Sequence, residues 1–176
     1  QGPASLVSCD EQLVWCIPPK SKRSQLVNVI SLLPRINPTG EPDVAHAIHP
    51  LSPIIKHKTL VMIFSDLLVY PEPVLQSLLY LRHGGNDVIL FHILDEAEVA
   101  FPFDGMCRLE NPEDHDFVRV DAAGFRREYV DEIEGFRDQY KKVCLKSGVD
   151  YVPLDTSMPF DKALTEYLMK RRLRGR

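Results

Sequence analysis

The sequence predicts an α/β protein, a three-layer sandwich around a mostly parallel sheet with an antiparallel edge strand. Three observations predict it. Leu60-Val-Met-Ile-Phe64 is a continuous apolar run closed by Ser65 and Asp66, which suits a strand buried on both faces. Asp87-Val-Ile-Leu-Phe-His-Ile93 repeats the pattern. Around these runs, apolar residues recur every three or four positions, so strands alternate with helices and parallel pairing follows.

Ala4–Cys9 and Leu13–Ile17 read as an antiparallel hairpin, with Pro18-Pro19 expected to end the second strand. Ser24 is expected to cap a helix to about Leu33, apolar at Leu26, Val29, Ile30 and Leu33. Pro34 to Pro42 reads as a loop, and Asp43 as the cap of a short helix to about His49. After the Leu60–Phe64 strand, Pro71-Glu-Pro73 opens a helix to about Arg82, closed by Gly84-Gly85. The strand from Asp87 follows. Met106–Leu109 and Phe117–Val120 flank a polar turn at Asn111–Asp116. A long helix runs from Ala122 to about Lys146 and stops at Gly148; Phe125, Tyr129, Ile133, Phe136, Tyr140, Val143 and Cys144 mark its apolar face. Tyr151–Leu154 is the last strand. A helix from Phe160 to Arg171 ends the pattern, with Leu164, Tyr167 and Leu168 inward.

With 176 residues and globular-average hydrophobic content, one domain over 1–176 is expected. A formal net charge of −4 argues against general nucleic-acid binding. The basic end Lys170–Arg176 reads as a solvated helix terminus. No apolar run is long enough to span a bilayer and no signal peptide opens the chain, so a cytoplasmic protein with no membrane segment is expected. Cys9, Cys16, Cys107 and Cys144 lack Cys-x-x-Cys spacing, which argues for reduced thiols and against zinc. His46, His49 and His57 lack a third ligand at zinc spacing and read as surface or cap residues. His92 reads as a hydrogen-bonded core histidine.

Asp66 stands where open α/β sheets place ligands, beyond the carboxyl end of a strand. Capping of the following loop or helix is its expected role, by bonds from backbone N–H groups. The loop Phe101-Pro-Phe-Asp-Gly105 is expected to pack under the sheet edge, or else to offer Phe101 and Phe103 to a partner.

Four segments together resemble the von Willebrand factor A-like domain of the DUF58 family. They are Leu60–Leu68, Asp87–Asp95, Phe101–Gly105 and Asp150–Thr156, in that order. The resemblance implies a Rossmann-like fold lacking its first strand and helix, and hence an N-terminally incomplete domain. Completing such a sheet suggests a homo-oligomer. It also implies a non-enzymatic scaffold or protein-interaction role, with a MoxR-type AAA ATPase as the partner class. Von Willebrand domains hold a metal with Asp-x-Ser-x-Ser, a Thr and an Asp. Here Asp-x-Ser-x-Ser is absent, Pro42 occupies the Thr position with Thr39 three residues away, and Asp66 with Ser65 remains. No cofactor is therefore expected, and Mg²⁺ only if other residues complete the site. Thr39, Asp43, Asp66, Phe101 and Phe103 become the partner-binding candidates. The alternatives are a Mg²⁺-dependent adhesion module completed from elsewhere, and a small hydrolase using Asp66 and Ser65.

Overall fold

The computed structural model describes residues 2–9, 13–36, 48, 55, 58–111 and 115–173. The helix expected from Asp43 to His49 lies outside these residues, apart from the buried, helical Ile48. The chain divides into two compact units, Gln1–Thr59 with Leu67–Asp87, and Leu60–Asp66 with Val88–Arg176.

In the first unit, β1 (Ala4–Cys9) and β2 (Leu13–Lys20) form the expected antiparallel ribbon. The strand does not stop at the prolines. Ala4 pairs with Lys20 and Leu6 with Ile17, so Pro18 and Pro19 together face Ser5 in a bulge. A bulge leaves residues outside the ladder, so the missing proline N–H groups cost nothing there. Helix α1 (Ser24–Leu32) follows, with a 3₁₀ turn at Leu33–Arg35. Its N-cap residue is Arg23, without a side-chain bond, and Ser24 is already helical, contrary to the expected serine cap. Gln25 holds the helix to the ribbon instead. It is buried, and its Nε2 donates to the carbonyls of Ala4 and Pro18, each at 2.9 Å.

Helix α2 (Pro71–His83) buries Val74, Leu75, Ser77, Leu78 and Leu81 along one face. Gly85 adopts φ +80 just past its end, as a glycine C-cap should. Buried Asn86 completes that end. Its Nδ2 donates to the Leu81 carbonyl at 3.0 Å, and its Oδ1 accepts from the Thr59 N–H at 3.2 Å.

The second unit is built on a parallel three-stranded sheet, ordered β3 (Leu60–Ser65), β4 (Asp87–Leu94) and β7 (Asp150–Asp155). β4 is central and almost wholly buried, as its apolar run predicted. Successive strand residues face opposite sides, so Phe91 and His92 point apart. Helix α4 (Ala122–Ser147) brings Phe136 and Tyr140 against His92. Helix α5 (Phe160–Leu173) brings Tyr167 edge-on to Phe91 at 5.9 Å. One helix therefore covers each face. The long helix stops at Gly148, whose φ of +71 opens the C-cap. β5 (Met106–Glu110) and β6 (Phe117–Asp121) make the expected antiparallel hairpin. A short helix α3 (Glu96–Ala100), unforeseen from periodicity, follows β4.

Two burial expectations fail. Leu168 is exposed, with Ala163 and Tyr167 forming the buried side of α5. More consequentially, β3 is not buried on both faces. Leu60, Met62 and Phe64 are 49%, 53% and 56% exposed. β3 is the terminal strand of the order, and Tyr167 reaches only as far as Phe91. Phe64 stacks on Phe91 at 4.6 Å, continuing the core, while the rest of its row stays open to solvent.

That contrast is measurable. Leu90→Ala, at a fully buried position of β4, should destabilise the fold by about 3 kcal/mol in urea denaturation. Met62→Thr, on the open row of β3, should change it by less than ~0.5 kcal/mol.

Candidate functional site

The carboxyl ends of β3, β4 and β7 carry Ser65 and Asp66, Asp95, and Asp155 with Thr156. At the end of β4, Asp95 forms a capping box: its Oδ1 accepts from the Ala97 N–H at 2.9 Å, while Glu98 Oε2 accepts from the Asp95 N–H at 2.7 Å. Thr156, just after β7, joins this box. Its hydroxyl donates to Asp95 Oδ2 at 2.8 Å and accepts from the Glu96 N–H at 3.2 Å. Its own N–H donates to the Leu94 carbonyl at 3.1 Å. The Ala97 N–H and the Thr156 hydroxyl hold the Asp95 carboxyl below its ordinary range. Asp155 likewise serves its own turn, accepting from the N–H and hydroxyl of Ser157. These carboxylates fasten the ends of strands and helices.

Asp66 is exposed at the end of β3, beside partly buried Ser65. It does not cap α2, whose N-cap position is Tyr70 with no side-chain bond. Its backbone enters the structure through His92. The imidazole is 1% exposed; Nε2 lies 2.9 Å from the Asp66 carbonyl and Nδ1 lies 2.8 Å from the Tyr151 hydroxyl. A carbonyl only accepts, so Nε2 carries the proton and Nδ1 accepts from Tyr151. Burial, with the Arg137 charge, lowers the His92 pKa to about 4 against the opposing pull of the Asp66 bond. The expected hydrogen-bonded core histidine is thus in place.

Three further groups line this buried side of the sheet. Tyr151 is pushed up to about 12, chiefly by burial. The Cys144 thiol is likewise pushed up to about 12, so it is protonated at neutral pH and unsuited to nucleophilic attack. Tyr140 is fully buried, its hydroxyl has no hydrogen-bond partner among the described residues, and burial raises its pKa.

The Phe101–Gly105 loop is pinned down. Phe101 is 3% exposed and adopts φ +44, with its ring 4.7 Å from Tyr129 and 5.1 Å from Phe103. Arg126 donates to the carbonyls of Phe101 and Phe103 at 3.1 and 2.6 Å, and to Asp104 Oδ1 at 2.6 Å. Packing, the first of the two sequence expectations, describes Phe101. Phe103 is half-buried beside it.

Thr39, Pro42, Asp43, His46, His49 and His57 lie outside the described residues, so the candidates are not seen assembled. Among the described residues, no group of three His, Cys, Asp or Glu is placed to hold a metal ion. Sequence reasoning missed the Asp95–Thr156 pair. Its signal was Asp95-Glu-Ala-Glu98, an acid followed three residues later by Glu.

A family model described as "Protein of unknown function DUF58" matches residues 3–139. No curated protein and no solved structure matches the chain.

Two measurements test the buried cluster. His92 has a folded pKa below its unfolded value near 6.5, so its neutral form favours folding. Its contribution is complete above pH 6.5 and is lost as pH falls towards 4, by up to ~3 kcal/mol. Denaturant midpoints of wild type and His92→Asn should therefore converge over that window. Tyr140→Phe removes a buried hydroxyl that has no partner among the described residues and should leave stability unchanged or raise it by up to ~1 kcal/mol.

Proposed function

Because the chain belongs to the DUF58 family, we propose that it is a non-enzymatic protein-interaction domain of von Willebrand factor A type. The observation that carries this reading is the open row Leu60, Met62 and Phe64. It is apolar, lies on a strand, and continues through Phe64 and Phe91 into the core. Such a surface suits a partner that completes the buried side of the sheet. The roles of Asp95 and Asp155 in local capping also fit a binding role, since they already serve backbone groups. By resemblance, the partner class is a MoxR-type AAA ATPase.

A second reading rests on Asp66. Its exposed position at the carboxyl end of β3 suits one ligand of a Mg²⁺ site completed by residues outside those described. The hydrolase alternative uses the same residue with Ser65.

Titrating a purified MoxR-type ATPase into the chain separates these readings. Met62→Glu should weaken association at least about tenfold by placing a charge in an apolar contact, while leaving the melting temperature unchanged. Unaltered affinity in Met62→Glu would remove the β3 reading. Loss of affinity on chelation, reproduced by Asp66→Ala, would favour the metal-dependent one.

A further inference from the structure

Helix α1 is apolar around more than half of its circumference. Gln25, Val29 and Leu32 form its seated side; Gln25 is buried on the β1–β2 ribbon and the other two are half-buried. Successive helical residues advance by about 100°, which gathers Leu26, Val27, Ile30 and Leu33 into a second apolar ridge. Each of these four is more than half exposed. Apart from Gln25, which is turned onto the ribbon, the polar residues Ser24, Asn28 and Ser31 share one remaining strip of the helix. A helix apolar on two sides needs a second cover.

The surrounding charge narrows what that cover is. Lys20, Lys22 and Arg23 precede the helix and Arg35 closes the 3₁₀ turn, all exposed. From Leu13 to Gly40 there is no Asp or Glu, in a chain whose formal net charge is −4. The ridge is therefore bracketed by cations at both ends, within an acidic protein. A bilayer sets no minimum footprint, because aliphatic burial and cation attraction add residue by residue.

We propose that α1 is a peripheral contact for an anionic lipid surface, with Leu26, Val27, Ile30 and Leu33 entering the interface and the four cations meeting the headgroups. The proposal uses residues of the first unit alone and stands apart from the reading built on β3.

Flotation of the full chain with vesicles tests it. Binding is expected to phosphatidylcholine vesicles containing phosphatidylserine and not to phosphatidylcholine alone, and should fall with salt. The double variant Leu26→Ser/Ile30→Ser should bind at least about tenfold more weakly. Lys22→Ser/Arg23→Ser should also bind more weakly and with a shallower salt dependence. Unchanged melting curves would show that both variants remain folded. No binding to the mixed vesicles, or equal binding by wild type and both variants, overturns the proposal. So does indifference to vesicles together with binding of an acidic amphipathic helical peptide that both variants lose, which would assign the ridge to an acidic protein partner.

Discussion

The imidazole of His92 links the three strands of the sheet. It projects from central β4, takes a hydrogen bond from Tyr151 on β7, and gives one to the carbonyl of Asp66 at the end of β3. Its rings of contact on α4 are Phe136 and Tyr140. A purely apolar residue there would fill the space but remove the bonds to both the Asp66 carbonyl and the Tyr151 hydroxyl. The sheet thus depends on one polar side chain kept neutral inside an aromatic cage. Neutrality matters because the bond pattern requires one ring nitrogen to donate and the other to accept.

The same logic governs the carboxyl edge. In this architecture the strand ends face the region where ligands commonly bind, and acidic residues there invite catalytic or metal readings. Asp95 and Asp155 illustrate the competing demand. Helix and turn starts expose N–H groups that need acceptors, and a short acid is the nearest one available. Thr156 extends the economy by joining the turn after β7 to the cap after β4.

Much of the fold was legible because its signals are local. The run from Val88 to Phe91, the helical spacing of Phe136, Tyr140 and Cys144, and the glycines at 85 and 148 each act within a few residues. Failures arose where neighbours decide. Pro18-Pro19 continue a strand only because a bulge opposes Ser5. Ser24 lost the cap position to Arg23 as the helix began one residue early. Leu60–Phe64 has the composition of a doubly covered strand, but coverage depends on elements that a local run cannot specify. His92 was readable as a core residue, whereas its bonds to Asp66 and Tyr151 join positions far apart in the chain. The candidate site was legible only as a position on the fold.

The pairing of β4 with β7 brings a final consequence. Ile89 lies beside Asp150 and Leu94 beside Asp155, across about sixty intervening residues. Closing so long a loop is slow compared with forming the β5–β6 hairpin or the α4 helix. During that interval the Leu60–Phe64 segment, uncharged, proline-free and rich in strand-forming residues, waits beside an unfinished sheet. The apolar row that stays open in the finished molecule therefore also leaves the nascent form prone to aggregate, so its yield should be governed by how quickly β7 arrives.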